Sequence, residues 1–464
     1  MKHPPGLSVG KLPLSSNGLW RLPAAVWLAL LLAHALAGTY ALRTGRYTFP
    51  DSGRYRQVAQ NLGQHGQLYA RPLPPYPPTG QDVQEFTIRP PGYPLLVLAV
   101  GAPVGILLLQ NLLSLGALAV VLRGWAAARA RPPSSPEWAV ALALALSFPA
   151  QLIYANVVMS EIPLQAVLLG GVGLAAAFAR TGRARYLAGV ATALVAAWLL
   201  KPVLAPFTLV FLGISSWLAW QRRRPILALF GALPLLLALA YMGWNAQRTG
   251  YFHFSSIAEI NLLHYNAAGV LRQAQGPAAE ATWVARTLRA ANAAPTFAAR
   301  QRLIDAAAGA VLRRYPLLYA GQHALGMATF FLDPGRFDAS VFLGQTQAAG
   351  LLNQLRGGGA AGLLGALAQQ PWGLLALLLI TAVANVLRLA LAVRGLRTAS
   401  AHAPTSPDWL GFATPAGRWV AAGLLLYLAV LTGPLGAARF LVPGWPLLLA
   451  LALRGLPDAK PARY

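Results

Sequence analysis

The sequence predicts an all-α, polytopic membrane protein with about ten to twelve transmembrane helices and further helices outside the membrane. Three observations lead to this fold class. Of the 464 residues, 56% are apolar and only 11% are charged. Several apolar runs reach the roughly 20 residues that a helix needs to cross a bilayer. Arginines are concentrated in short loops between these runs, which is the pattern of cytoplasmic loops.

Ten apolar runs define the predicted spans. The first, residues 20–42, is longer than the roughly 7–15-residue core of a signal peptide, so we expect an uncleaved span with a cytoplasmic N-terminus. The others cover residues 104–122, 138–154, 162–179, 186–200, 203–220, 226–242, 372–393, 419–432 and 440–453. If each run crosses once, the arginine-bearing loops at 123–131, 180–185, 222–224 and 394–397 share the cytoplasmic side.

One further run, residues 317–332, is short and contains Gln322 and His323. A single crossing there would move Arg394 and Arg397 to the outside. Charge therefore favours either no crossing or a pair of crossings, the second using residues 351–367. The prediction is ten or twelve spans with both chain ends in the cytoplasm.

Composition excludes several classes of protein. The net charge of +25 could suggest a nucleic-acid partner, but the basic residues follow the membrane topology, so we expect no nucleic acid. The chain has no cysteine, which excludes disulfides, thiolate metal sites and thiol nucleophiles.

Two polar segments, residues 43–93 and 243–371, lie outside the membrane in this topology. They divide the chain into an N-terminal transmembrane module (1–242) with a long first external loop, an external segment (243–371) and C-terminal transmembrane helices (372–464). Within the external segment, apolar residues recur at helical spacing over 295–315. That helix lies along the membrane interface or packs on the outer ends of the spans.

Two carboxylates lie where spans leave the membrane on the outer side. Asp51 is in a proline-flanked turn, "YTFPDSGRY", and Glu161 is in the short turn "NVVMSEIPL". Acids near hydrocarbon are costly and indicate function, and side chains fixed at helix ends can be placed precisely. The alternatives are an N-cap role for Asp51 on the helix of "PDSGRYRQVAQNL" and a solvated turn carboxylate for Glu161.

Three basic residues accompany these acids at the outer ends of spans. Arg89 precedes paired prolines in "FTIRPPGYPLL", Lys201 lies in "LLKPVL", and Arg439 lies in "GAARFLVPGWP". A guanidinium suits the oxygens of a phosphate, so a phosphate group is one candidate partner. The alternative for each is an anchor that extends its charge to the membrane surface.

In their order along the chain, these motifs resemble the GT-C superfamily of multispanning glycosyltransferases, in particular the bacterial branch with protein mannosyltransferases and aminoarabinose transferases. The resemblance rests on "PDSGRYRQVAQNLGQHGQLY", "RPPGYPLL", "MSEIPLQAVLL", "KPVLAPF", "WNAQRTGYFHFSS" and "RFLVPGWPLLLAL". It implies a polyprenyl-phosphate sugar donor, Asp51 as catalytic carboxylate, Arg89 at the donor phosphate and Glu161 as an assisting acid. Ser52 stands where some members have a second acid, which leaves metal coordination open.

The chemistry implied is an inverting single displacement in which Asp51 takes the acceptor proton and Arg89, Lys201 and Arg439 stabilise the departing phosphate. For sugar or acceptor binding the candidates are Tyr55, Asn261, His264 and Tyr265, the last three in "NLLHYNAAG", for which an ordinary amphipathic turn is the alternative. Asp51, Glu161, Asp82 and Glu85 are candidate oxygen ligands for Mg²⁺ or Mn²⁺, a cofactor that the sequence leaves open.

Three other functions compete with a glycosyltransferase. They are a transporter or flippase for a lipid-linked saccharide, an oligosaccharide ligase or polymerase, and a non-catalytic membrane scaffold. Large external segments and the lack of repeats in the sequence argue against a transporter. The predicted location is the cytoplasmic membrane with the active site on the external face. The acceptor, whether lipid, glycan or protein, and the sugar are not specified by the sequence.

Overall fold

The computed structural model describes residues 22–129, 131–345, 359–362, 364–365, 367–398, 410–412 and 414–457. Two predictions fall wholly or mostly outside these residues: the cytoplasmic leader before the first span and the optional crossing at 351–367. Within the described part, every regular element is helical.

The N-terminal half consists of ten α-helices that run back and forth, with short turns between most of them. They are α1 (Ala24–Thr44), α2 (Ser52–His65), α3 (Gly92–Val100), α4 (Pro103–Ala127), α5 (Ser135–Leu146), α6 (Pro149–Ala155), α7 (Glu161–Thr181), α8 (Ala184–Leu200), α9 (Phe207–Arg222) and α10 (Ile226–Thr249). A 3₁₀ helix, Gly80–Phe86, lies between α2 and α3. The helix α10 ends seven residues later than the predicted span, at Thr249 rather than 242, so it extends into the segment that the sequence predicts to be external.

A helical cap follows α10. It comprises α11 (Ile257–Asn261), a π-helix (Leu262–Ala267), α12 (Ala268–Gln275), α13 (Pro277–Asn292) and α14 (Phe297–Arg314). The chain continues through α15 (Pro316–Leu332) and α16 (Arg336–Leu343). The C-terminal part comprises α17 (Trp372–Arg397), α18 (Pro415–Thr432), α19 (Ala438–Leu441) and α20 (Trp445–Arg454).

In the described residues, seven helices are long and apolar enough to cross a membrane, and an eighth span is formed if α5 and α6 count as one segment bent by 61°. Two predicted spans are not among these helices. The run at 186–200 is the 17-residue α8, and the run at 440–453 is interrupted by a 3₁₀ turn, Val442–Gly444, between α19 and α20. The proline and glycine of that turn interrupt the regular helix. The chain is a multi-pass membrane protein.

The spans expose apolar side chains on one face and pack a continuous core on the other. On α1, Leu28, Leu32 and Leu36 are more than half exposed, which suits contact with lipid. Inside, the Trp445 ring of α20 stacks on Phe148 at the bend between α5 and α6, with 4.4 Å between centroids. This packing brings the C-terminal helices against the N-terminal ones.

The predicted amphipathic helix at 295–315 is α14. Its apolar side chains Phe297, Ile304 and Val311 are buried. The side chains of Ala308 and Val311 pack with buried residues of α12 and the π-helix. The helix therefore packs within the cap. Arg300 of this helix is also buried, and it donates to the side-chain oxygen of Asn292 at 3.2 Å.

Candidate active site

The loop after α1 is held against the segment that leads into α7. The amide of Val158 donates to the carbonyl oxygen of Tyr47 at 2.9 Å. The Phe49 ring meets Tyr154 edge-on, with centroids 5.7 Å apart. These contacts fix the turn that contains Asp51 beside the N-terminus of α7.

Five side chains from distant parts of the sequence form one ion-pair cluster. Arg89 donates to one oxygen of Asp51 at 2.5 Å, and Arg439 donates to the other at 2.8 Å. Arg439 also donates through Nε to Glu161 at 2.7 Å, and Lys201 donates to the same Glu161 oxygen at 2.8 Å. The order is Arg89–Asp51–Arg439–Glu161–Lys201, so the structure brings together both predicted catalytic acids and all three predicted phosphate-binding residues.

The cluster is only partly buried. The Glu161 side chain is fully buried, whereas those of Asp51 and Arg439 are 22% and 24% exposed. Three cations face two carboxylates, which leaves a net charge of +1 in a partly buried site. Such a site is suited to one additional anion, because an unbalanced buried charge is costly.

The arginines determine the protonation of Asp51. Burial alone raises the pKa of Asp51, but Arg89 and Arg439 outweigh it and hold that pKa at about 2. The carboxylate is therefore ionised at neutral pH. It is also a weak base while both arginines are bonded to it.

Two alternatives raised by the sequence are wrong. Asp51 precedes α2, but its side chain makes no capping hydrogen bond. Guanidinium groups, which form stronger charge-assisted bonds than a backbone amide, occupy both of its oxygens. Glu161 is not a solvated turn residue, since it is buried as the first residue of α7.

Comparisons with known proteins give a match in structure only. No family model matches the chain, and no curated protein matches it significantly. The chain is similar to the crystal structure of ArnT from Cupriavidus metallidurans bound to undecaprenyl phosphate, with 15% identity and a TM-score of 0.35, covering 94% of this chain and 77% of that one. It is also similar to the apo state of the same protein, with 16% identity and a TM-score of 0.31, covering 93% and 77%.

Tyr55 lies behind the cluster. The guanidinium carbon of Arg89 is 5.0 Å from the centre of the Tyr55 ring, and the phenol is 3.3 Å from the hydroxyl of Ser160. The Tyr93 ring contacts it edge-on at 4.8 Å. Tyr55 is only 2% exposed, so it orients Arg89 here, and its role in sugar binding stays a prediction.

The other predicted sugar-binding residues lie in the cap. Asn261 ends α11, and His264 and Tyr265 lie in the π-helix with exposed side chains. The Tyr265 carbonyl accepts a hydrogen bond from Gln322 of α15 at 2.8 Å. None of the three forms a described contact with the ion-pair cluster. Their role in sugar or acceptor binding stays a prediction.

The four candidate metal ligands do not converge. Asp82 lies 3.7 Å from Arg71, and Glu85 pairs with Arg71 and Arg54 at 3.2 and 3.4 Å. Asp51 and Glu161 are bonded by the cations of the cluster. Among the described residues, no group of three His, Asp or Glu side chains is close enough to hold a metal ion.

Sequence reasoning did not single out a pair of acids that border the cluster. Tyr154 donates to Asp338 at 2.8 Å, and burial raises the pKa of Asp338 to about 7. Asp333 accepts the backbone amide of Ala438 at 2.8 Å and so fixes the residue before Arg439. The motif "LDPGRFD" carries both acids around a Pro-Gly turn, which was the available signal.

Proposed function

We propose that this protein is a GT-C-type membrane glycosyltransferase that transfers a sugar from a polyprenyl-phosphate donor to an acceptor on the external face. The observation that carries this proposal is the ion-pair cluster, in which two carboxylates are held among three cations in a partly buried site. The motifs that resemble the superfamily contribute the same five residues.

The cluster supplies both charge types that the reaction needs. A polyprenyl-phosphate sugar is a phosphodiester with one negative charge, which balances the net +1 of the cluster. Its oxygens compete with Asp51 for Arg89 and Arg439, which can both form charge-assisted bonds to phosphate. Binding of the donor would thus free the Asp51 carboxylate and raise its pKa from about 2 towards the range of a useful base.

The proposed step is one displacement. The acceptor oxygen or nitrogen forms a bond to the anomeric carbon, and the bond from that carbon to the phosphate oxygen breaks. The electron pair leaves with polyprenyl phosphate, and the acceptor proton passes to Asp51. Arg89, Arg439 and Lys201 stabilise the second negative charge that the phosphate gains.

The test is release of polyprenyl phosphate from a panel of polyprenyl-phosphate sugars by purified protein in nanodiscs, with cell-envelope extract as the acceptor source. We expect release by the wild type from one donor. Asp51→Asn should reduce the rate by at least about 10²-fold, the usual contribution of a general base.

The matched control is Asp305→Asn, the same chemical change in an aspartate of α14 that accepts a hydrogen bond from Tyr251 outside the cluster. It should retain the wild-type rate. Equal rates for Asp51→Asn and wild type would refute the role of Asp51. Absence of release from every donor, together with donor-dependent movement of lipid-linked sugar across the bilayer, would instead indicate a flippase.

A further inference from the structure

The cap carries an amphiphilic groove apart from the ion-pair cluster. Helices α12, α13 and α14 border a cavity of about 620 Å³, within the range of pockets that bind small molecules. Its apolar lining comes from four alanines, the buried Leu271 and Val311 and the half-buried ring of Trp283. Its polar lining comes from Gln275, Thr282, Arg286, Arg314 and Tyr315.

The charges of the two arginines of the groove are not neutralised by ion pairs with described carboxylates. Neither Arg286 nor Arg314 forms an ion pair with a carboxylate of the described residues. Glu280, which is the nearby acid of α13, is already bonded by Arg272 at 2.5 and 3.0 Å. Over residues 251–314 the cap has seven arginines and three acids, a net charge of +4. The groove is therefore complementary to an anion.

Apolar side chains continue from one end of the groove. Arg314 lies over the Tyr315 ring at 5.5 Å, and the Tyr315 hydroxyl accepts a bond from Gln275 at 2.8 Å. Directly after Tyr315, α15 begins, and its Leu317 and Leu318 are 86% and 38% exposed. A cationic and aromatic groove next to exposed leucines is the arrangement expected at a membrane surface.

We propose that this groove binds the headgroup of an anionic phospholipid of the surrounding leaflet. The phosphate would lie between Arg286 and Arg314, the headgroup hydroxyls would meet Gln275 and the aromatic rings, and the acyl chains would extend along Leu317 and Leu318. This site is independent of the proposed transferase reaction. Its effect is to hold the cap at a fixed height on the membrane.

The test measures lipids retained by the full chain in native mass spectrometry, after addition of phosphatidylglycerol or phosphatidylcholine to detergent-purified protein. Wild type should retain phosphatidylglycerol preferentially. In Arg286→Gln/Arg314→Gln, binding should weaken by about thirtyfold, since each surface cation contributes about fivefold. Arg314→Lys with Arg286 intact should keep most of the binding, because the charge is conserved.

The matched control is Arg289→Gln/Arg302→Gln, which removes two exposed arginines of the same cap that do not line the groove. It should bind phosphatidylglycerol as wild type does. The proposal is overturned if the control loses binding as strongly as the groove variant, since diffuse charge would then suffice. It is equally overturned if the groove variant keeps wild-type binding, or if a glycolipid displaces phosphatidylglycerol from the wild type at equal concentration.

Discussion

Asp51 shows how a residue can be prominent in the sequence and still have a local role that the sequence does not specify. Its position between a span and a helix predicted both catalysis and capping. The structure excludes capping, because Arg89 and Arg439 occupy the two carboxylate oxygens. Arg439 is 388 positions away, and no pattern within the first loop could indicate it.

The ion pairs of Asp51 with Arg89 and Arg439 should stabilise the fold by an amount that depends on pH. The pKa of Asp51 is about 2 in the folded protein, against 3.8 for an unperturbed aspartate, and this difference corresponds to about 2 kcal/mol. Because the folded pKa is lowered, this stabilisation is present above about pH 4 and is lost as the pH falls towards 2. In SDS-induced unfolding at pH 7, the free energy of unfolding of the wild type should exceed that of Asp51→Asn by about this amount. The difference between the two proteins should disappear between about pH 4 and 2. A gap that is constant over this range would contradict the ion-pair origin.

Replacement of Glu161 should lower the stability more than replacement of Asp51, because Glu161 is fully buried and neutralises two cations. Glu161→Gln should reduce the free energy of unfolding by about 3 kcal/mol, the cost of leaving buried charges unpaired. Adding Lys201→Met should recover part of that loss, which a double-mutant cycle would measure. Glu280→Gln is the control, since its pair with the half-exposed Arg272 should contribute under about 1 kcal/mol. Additive effects of Glu161 and Lys201 would show that the two do not interact.

At the scale of elements, α15 positions the turn that precedes Arg439. The backbone of Gly326 lies against Gly433 and Gly436, and a Cβ at Gly326 would overlap the Gly433 carbonyl oxygen. Thr329 donates to the carbonyl oxygen of Gly436 at 2.9 Å. The sequence predicted neither a role for these glycines nor the contact, since the run at 317–332 was ambiguous even as a span.

This contact predicts different results for two glycines of one helix. Gly326→Ala should displace the turn before Arg439 and raise the KM for the donor at least about tenfold, because small displacements in a site are costly. Gly321→Ala should leave the KM unchanged, because a Cβ added at Gly321 would have no neighbouring atom within 4 Å, and alanine favours a helix. Equal KM values for both variants would show that α15 does not position Arg439.

At the scale of the whole molecule, the sequence predicted what depends on local composition. Apolar runs located the spans, and helical spacing located α14. The 440–453 run was predicted as a span, yet Pro443 and Gly444 interrupt it, and this interruption separates Arg439 from α20. Asp338 and Tyr154 were not selected because their contact joins residues 184 positions apart. Long-range pairing of this kind needs the packed fold.

The arrangement of the whole chain in the membrane gives the last prediction. Positive charge in the loops after α4, α7, α9 and α17 predicts that the first loop and the cap lie outside the cytoplasm. Because the chain has no cysteine, single cysteines report position without background. In intact cells, a membrane-impermeant maleimide should label the exposed positions of Gln64→Cys and Ala290→Cys, and should label Ser135→Cys and Thr181→Cys only after the membrane is permeabilised. Labelling of the second pair in intact cells would show that the orientation is the reverse of the predicted one. The ion-pair cluster would then lie on the cytoplasmic side, away from an external acceptor.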